Sequence, residues 1–184
     1  ETFRDQDALE IEKRIKEYEK EVIWLKQNLP RDSKDEVLDK LNEDVRSTSS
    51  MKDLILDLGN KALLDRHMIK IFALLPEGHN YLPNRPFKLS ELINDEILTV
   101  KDKVAEISAI ASGEYAISQT LEEIKKMWAT MEFIVINYRD IKDKFILGTI
   151  EEIMIRLEDD QVSIQTMLGS KNVQEIRAEV EEWE

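Results

Sequence analysis

The sequence contains no cysteine, and only five glycines and four prolines stand among its 184 residues. The absence of cysteine excludes disulfide-linked scaffolds, zinc sites with thiolate ligands and cysteine nucleophiles. Glycine and proline interrupt helices, so their scarcity favours long helical segments. Charged residues make up 35% of the chain and apolar residues 42%, which is enough for a core. These proportions predict a soluble, elongated and mainly helical protein.

Long hydrophobic runs are also lacking. No apolar run approaches the ~20 residues that a membrane-spanning helix needs, and no signal-peptide pattern is visible. The chain starts at Glu1 rather than at methionine, and its last helical pattern is still running at Glu184. We therefore expect a piece of a longer intracellular protein.

A basic surface is absent as well, because 39 Asp and Glu outnumber 26 Lys and Arg and give a formal net charge of −13. The densest basic stretch, Lys13–Lys16, alternates with glutamates at helical spacing, which predicts a solvated face with i,i+4 ion pairs. Nucleic acids, anionic lipids and acidic tubulin tails are all bound through basic faces. We therefore expect none of them as a direct partner.

Apolar residues recur at helical spacing in the first segment, from Asp7 to Leu29. Their spacings of four, three, four, three and four form a heptad stripe, which suits a helix paired with a partner as well as one packed on its own domain. Pro30 ends this helix, and Asp32 or Ser33 can cap a second one that starts at about Lys34. The stripe consists of Ile11, Ile15, Tyr18, Val22, Leu25 and Leu29.

Three places in the helical pattern are candidate flexible joints. The hydroxyl tract Ser47–Ser50 competes for backbone hydrogen bonds. Gly59–Asn60 divides a broad apolar stripe that continues from Met51 to Leu75. Gly113 costs ~1 kcal/mol if the long helix predicted from Thr99 to Met131 is continuous.

The period of the pattern changes after this long helix. Residues 133–138 and 144–148 form two β-branched and aromatic runs separated by a polar stretch, which is typical of a β-hairpin. Thr149–Glu152 has the form of a capping box and opens a further helix that Gly169–Ser170 closes, before a last helix from Val173 to Trp183. Three of the four prolines fall in the clearest loop, residues 76–88. The predicted fold class is mainly α, an elongated helical bundle with one short β-hairpin near residues 132–148.

The residue patterns that carry catalysis are missing. The five glycines include no G-x-G pair and no pair at the spacing of a phosphate-binding loop. His67 and His79 are twelve residues apart and lack partners at zinc or di-iron spacing. Neighbouring carboxylates such as Asp159–Asp160 and Glu151–Glu152 point to different faces of a helix and do not match a calcium loop. The sequence predicts no catalytic, cofactor-binding or metal site and no cofactor, so we do not expect this chain to be an enzyme.

Two aromatic side chains allow both a structural and a functional interpretation. His67 lies among apolar residues, which favours a histidine that anchors a helix contact through a ring nitrogen over a catalytic one. Trp128 lies on the apolar stripe just before the hairpin. We expect it to be a core anchor, buried where the long helix meets the hairpin, rather than a platform for a ligand.

A series of short segments carries a family resemblance. They are Leu58–His67, Phe87–Leu92, Ala111–Glu114 with Leu121 and Trp128, Asn137–Tyr138, Ile146–Gly148, Leu157–Val162, Met167–Ser170 and Val180–Trp183. In this order and spacing the series resembles the beginning of the linker region in dynein heavy chains. The family commonly has Arg-His-Trp at the end of the first segment, where this chain has Arg66-His67-Met68.

The resemblance covers about residues 51–184, three-quarters of the chain. It implies that these residues are the N-terminal linker subdomain with its hairpin, and that residues 1–50 are neck or tail-end helices. In dyneins the linker lies across the ring of ATPase modules and changes shape during the nucleotide cycle, carrying the tail with it. The implied function is that of a non-catalytic mechanical element, the tail-proximal linker segment that transmits ATP-driven ring motion to the tail for microtubule-based movement.

The amino-acid sequence of residues 138–148 and 157–170 is more similar to that of ciliary than of cytoplasmic dyneins. This resemblance implies a place in the cytoskeleton of a cilium or flagellum. The implied partners are the rest of the heavy chain, namely the downstream linker and the ATPase ring, and dynein intermediate or light chains. The resemblance does not imply that this segment binds microtubules directly, because the microtubule-binding stalk of dyneins lies elsewhere in the heavy chain. The competing interpretation is a helical scaffold or coiled-coil tether that uses the stripe of residues 11–29, and a third is a small helical enzyme with an unrecognised site.

Overall fold

The computed structural model describes residues 3, 7–29, 35–75, 81–83, 87–94, 96–139 and 141–184. Within these ranges the chain forms eight α-helices and one two-stranded antiparallel hairpin, which confirms the mainly α class. Two compact units divide it, Glu1–Ser112 (the first unit) and Gly113–Glu184 (the second unit). The elements are α1 (Ala8–Asn28), α2 (Glu36–Ser50), α3 (Lys52–Leu58), α4 (Asp65–Phe72), α5 (Leu89–Asn94), α6 (Lys101–Thr130), β1 (Val135–Asn137), β2 (Phe145–Leu147), α7 (Glu151–Leu168) and α8 (Arg177–Glu181).

Aspartate side chains start the first two helices. Asp7 accepts a hydrogen bond from the backbone N–H of Leu9, and Asp35 accepts bonds from the second and third residues of its helix, so each satisfies donors that a helix start leaves unpaired. The predicted stop at Pro30, the predicted caps Asp32 and Ser33 and most of the predicted loop at residues 76–88 lie outside the described ranges.

The hydroxyl tract Ser47–Ser50 does not interrupt a helix. These residues form the last turn of α2, where Thr48 donates to the carbonyl of Asp44 and Ser50 to that of Ser47. The break falls one residue later, at Met51, where the helical hydrogen-bond pattern stops and α3 begins. The predicted joint is therefore displaced by one residue to the end of the tract, and the alternative of a weak point within the helix stays a prediction.

Gly59–Asn60 divides two helices as predicted, since α3 ends at Leu58 and α4 begins at Asp65. A β-carbon at Gly59 would overlap the β-carbon of Ala8 in the first turn of α1, so only glycine lets these two backbones approach so closely. Ala8 belongs to the core of the first unit. The most deeply buried members of this core are Ile55, Met68, Ile71, Leu92, Ile97, Val104 and Ala111.

Gly113, the first residue of the second unit, lies within α6, so the helical hydrogen-bond pattern continues through this glycine. A β-carbon at this glycine would overlap the side chain of Asn172, so close packing explains the residue. The predicted capping box at Thr149–Glu152 was wrong, because α7 begins at Glu151 after Ile150 and has no side-chain cap. The core of this unit consists of Leu121, Ile124, Ile164, Met167, Val173 and Val180.

The hairpin pairs Val135 with Leu147, Ile136 with Ile146 and Asn137 with Phe145. It lies within the range that the change of period predicts. The last helix is shorter than predicted, because a 3₁₀ turn at Lys171–Val173 precedes α8 and the α-helical pattern covers five residues only.

Candidate functional site

His67 has a structural position. It is buried in the first turn of α4, and its Nδ1 accepts a hydrogen bond from the backbone N–H of Leu64, 3.1 Å away. The ring nitrogen thus satisfies a donor at the start of the helix, as the sequence interpretation predicts. No group of three or more His, Asp or Glu among the described residues could hold a metal ion.

Polar side chains join α1 to both of the helices that follow it. Glu12 pairs with Lys16 on its own helix at 2.7 Å, and its carboxylate also lies 3.9 Å from the ammonium of Lys52 on α3. The hydrogen bond from Lys16 lowers the pKa of Glu12. Ser49 on α2 donates to the carboxylate of Glu19. Since Gly59 also packs against α1, this helix is attached directly to α3 and not only through α2.

Asn60 fixes the segment after α3 to helix α6. Its Nδ2 lies 2.9 Å from the hydroxyl oxygen of Ser108, 3.2 Å from the carbonyl of the same residue and 2.7 Å from the hydroxyl of Ser112. Its Oδ1 accepts a hydrogen bond from the N–H of Ala62. Nearby, burial raises the pKa of Asp57, while a hydrogen bond with Ser108 opposes that rise. These side chains form a polar clamp within the first unit.

An aromatic cluster closes another side of the first unit. The ring of Phe72 lies 5.3 Å from that of Tyr81 and 5.4 Å from that of Phe87, and Phe3 continues the stack 6.0 Å beyond Phe87. The hydroxyl of Tyr81 donates to Asp65 at 2.8 Å. Aromatic packing with one satisfied polar tip is typical of a structural core.

In the second unit, Trp128 on α6 contacts α7 rather than the hairpin. Its indole N–H donates to the Oδ2 of Asp160, 2.8 Å away, and the Nε of Arg156 donates to the same oxygen at 2.9 Å. Trp128 is half-buried, and the core of this unit includes no hairpin residue. The predicted burial against the hairpin was wrong, because α7 supplies both the contact surface and the hydrogen-bond acceptor.

The two neighbouring carboxylates of α7 lie on different faces, as helical geometry predicts. Asp160 is 5% exposed, whereas Asp159 is on the solvent side. A second polar contact joins α6 to α8, where Lys125 binds Glu179 and also Glu122 of its own helix. Both carboxylates raise the pKa of Lys125.

Sequence reasoning missed the two residues that make the most specific contacts, Asn60 and Asp160. The first is a common turn residue after a glycine, so its sequence position signalled a turn and not a clamp to a helix almost fifty residues away. Asp160 follows another aspartate, Asp159, and nothing in the neighbouring sequence distinguishes the two. The arrangements around both side chains join one element to another within a unit.

The described residues thus form a mainly helical segment, in which Asn60, Asp160 and Lys125 each join one helix to another part of the same unit. No helix in the described ranges combines the length and apolar character that crossing a lipid bilayer requires.

Comparison with known proteins identifies the family. Residues 1–184 match the family model described as "Dynein heavy chain, N-terminal region 2". Human dynein axonemal heavy chain 6 is 29% identical over 170 residues, which are 92% of this chain and 4% of that protein. Mouse dynein axonemal heavy chain 3 is 33% identical over 125 residues, 68% of this chain and 3% of that protein. A Paramecium tetraurelia protein named "Dynein heavy chain, cytoplasmic" is 24% identical over 151 residues, 81% of this chain and 3% of its own length.

The chain therefore belongs to the dynein heavy chain family and corresponds to its N-terminal region 2. This confirms the resemblance that the order of sequence segments indicates. The chain spans no more than 4% of the length of the three relatives named above.

Proposed function

We propose that this chain is the tail-proximal linker segment of an axonemal dynein heavy chain, a non-catalytic mechanical element that passes ATP-driven motion of the ring to the tail. The observation that carries the proposal is the match of all 184 residues to N-terminal region 2 of dynein heavy chains. Several similar relatives are named as axonemal, which supports a place in the cytoskeleton of a cilium or flagellum. The proposed partners are the rest of the heavy chain and its intermediate or light chains.

The packing of the first unit supports a mechanical role. A force that enters at α1 reaches α3 through the contact of Ala8 with Gly59 and through Glu12 and Lys52, without having to pass along α2. Packed interiors are nearly incompressible, so such a contact transmits displacement better than a flexible joint does. The contact of α1 with α3 therefore offers a route for force that bypasses the tract Ser47–Ser50.

The proposed division into neck helices, residues 1–50, and a linker subdomain, residues 51–184, concerns roles within the heavy chain. In structural terms α1 packs on α3, so residues on both sides of position 50 share the core of the first unit. On this division, the neck and the start of the linker share one packed core.

The alternative, a helical scaffold or coiled-coil tether, depends on the apolar stripe of α1. Ile15 lies in the core of the first unit and Val22 is buried, so this chain itself covers part of the stripe. A seam for another protein would need those positions free. The internal packing therefore argues against a seam that uses the whole stripe.

Energy transfer within a complete heavy chain tests the proposal. A donor dye at Val162, which is 64% exposed on α7, is paired with an acceptor on the ATPase ring. We expect the transfer efficiency to differ between the ADP state and the ATP–vanadate state, because a linker moves against the ring. The control pair joins Val162 to the exposed Tyr115 within the second unit and should stay constant. If the transfer efficiency between Val162 and the ring were the same in both states, the result would contradict the linker role and favour a static scaffold.

A further inference from the structure

The hairpin of the second unit exposes an unusual amount of apolar surface. We call the apolar side chains of residues 133–136 and 145–147 the hairpin surface. Phe133 is 58% exposed, Ile134 64%, Phe145 63% and Leu147 54%. Single exposed apolar residues are ordinary, but a contiguous group of seven on one small element marks an interaction site.

Both faces of the hairpin are apolar. Val135 and Leu147 are direct cross-strand partners on one face, and Ile136 and Ile146 are partners on the other. A strand with one face on a protein core and the other face in solvent alternates apolar and polar residues. The strands of this hairpin do not alternate in this way. Its pattern is that of an element with protein on both sides.

The hairpin is short and lies outside the core of its unit. None of its described residues belongs to that core, and each strand has three residues. A two-stranded hairpin of this size is marginally stable in water unless other protein packs against it. The cover must therefore be present whenever the hairpin is formed, which a transient partner does not provide.

We propose that the hairpin surface is inserted into the same heavy chain and is covered on both faces by polypeptide on the C-terminal side of the region described here. This rests on the family membership and deepens the proposed function, because the hairpin would attach the segment to the part of the heavy chain that follows it. Three observations support this occupant.

The first observation is length. This chain corresponds to at most 4% of each of three relatives that it matches, so most of such a heavy chain lies outside it, and the segments nearest along the chain have the highest effective concentration at the hairpin. The second is order along the chain, since elements that follow one another in sequence are usually neighbours in space. The third is charge, because a second copy would also carry −13 and would be repelled at long range.

A photo-cross-linking experiment on the purified full heavy chain tests the insertion. Phe145→benzoylphenylalanine places the reactive group on the hairpin surface, and Val162→benzoylphenylalanine, on exposed α7, is the matched control. Peptides joined to position 145 are identified by mass spectrometry. We expect them to come from the same chain, C-terminal to this region, at a yield that does not change on dilution.

Every other result would overturn the proposal. Cross-links that disappear on dilution would assign the surface to a second copy, and cross-links only after accessory chains are added would assign it to them. Cross-links to the N-terminal side would place the occupant before this region, and an absence of cross-links at 145 would leave the surface uncovered.

Hydroxyl-radical footprinting of the unsubstituted heavy chain gives a measurement that no substitution can disturb. Phe133 and Phe145 should be labelled several-fold more slowly than in the urea-unfolded chain, because buried side chains are shielded from solvent. Equal labelling in the folded and unfolded chain would overturn the insertion. The energy-transfer test detects motion and these tests detect contact, so failure of the linker role and failure of the insertion are distinguishable.

Discussion

The indole N–H of Trp128 and the Nε of Arg156 donate to one oxygen of Asp160, a carboxylate that is 5% exposed. This arrangement joins α6 to α7 and satisfies a charge that would otherwise be costly to bury. The indole packs against the core of the second unit at the same time.

Trp128→Phe keeps most of the ring and removes the donor. We expect the free energy of unfolding to fall by about 1–2 kcal/mol, since hydrogen bonds to charged groups are worth more than neutral ones. Urea unfolding of the 184-residue chain, followed by circular dichroism, measures the change. Trp24→Phe is the matched control, because Trp24 is 62% exposed and its replacement should cost less than about 0.5 kcal/mol. Equal effects of the two substitutions would mean that the bond to Asp160 contributes nothing.

Asp57 makes stability depend on pH in a direction opposite to most carboxylates. Burial raises its pKa in the folded state, so the folded chain binds this proton more tightly than the unfolded chain does. The contribution of Asp57 to stability is therefore full below the ordinary aspartate pKa and is lost as pH rises through the raised value. Asp57→Asn should increase the melting temperature near pH 7 relative to its effect near pH 3.5. A larger gain at the acidic end would show the opposite sign and disprove this account of Asp57.

The chain should not bind Mg-ATP. Its glycines do not form a phosphate-binding loop, and the described residues hold no metal-binding cluster. Isothermal titration of the 184-residue chain with Mg-ATP should give heats no larger than dilution. Saturable binding in the micromolar range would reveal a nucleotide site that neither the motifs nor the geometry predict.

Much of the fold could be predicted because its signals are local. The apolar period gave the long helix α6, and the β-branched runs gave the hairpin near residues 132–148. The break between α3 and α4 at Gly59–Asn60 was predicted, but the exact position of the break after α2 was not. Ser47–Ser50 is a poor helix former, yet it is helical, and the chain turns at Met51, where α3 starts.

The two specific polar contacts were unpredictable for the same reason. Nothing near Asn60 in the sequence points to Ser108 and Ser112, and nothing in the sequence distinguishes Asp159 from Asp160 as the partner of Trp128. The two glycines taken as candidate joints, Gly59 and Gly113, are sites of close packing, which a sequence cannot separate from sites of flexibility.

A flexible insertion distinguishes the two routes for force through the first unit. Ten Gly/Ser residues between Met51 and Lys52 add a coil with a reach of roughly 15–20 Å and leave the contact of α1 with α3 in place. In a heavy chain anchored through its tail, we expect microtubule gliding to remain close to that of the unmodified protein. An insert of the same length with helical propensity controls for added mass. A large loss of gliding with the flexible insert alone would mean that force does pass along α2.

The contact of Gly59 with Ala8 can be broken and rebuilt. Gly59→Ala should destabilise the 184-residue chain by about 1–3 kcal/mol, the usual cost of overpacking, because its β-carbon overlaps that of Ala8. Adding Ala8→Gly makes room and should restore part of the loss, so the two changes are not additive. Gly169→Ala is the matched control, because a β-carbon there meets only carbonyl oxygens at 3.6 Å. Additive losses in urea unfolding would show that the two residues do not contact each other.

The same pair tests the mechanical role most directly when Gly59→Val is placed in a complete heavy chain. ATP turnover and microtubule gliding are measured on one preparation that is anchored through its tail. We expect turnover to stay near the unmodified value and gliding to slow markedly, because ATP is hydrolysed elsewhere while α1 and α3 no longer pack closely enough to pass on the motion. Unchanged gliding, or a fall in turnover that parallels the fall in gliding, would contradict the proposal that this segment transmits the stroke.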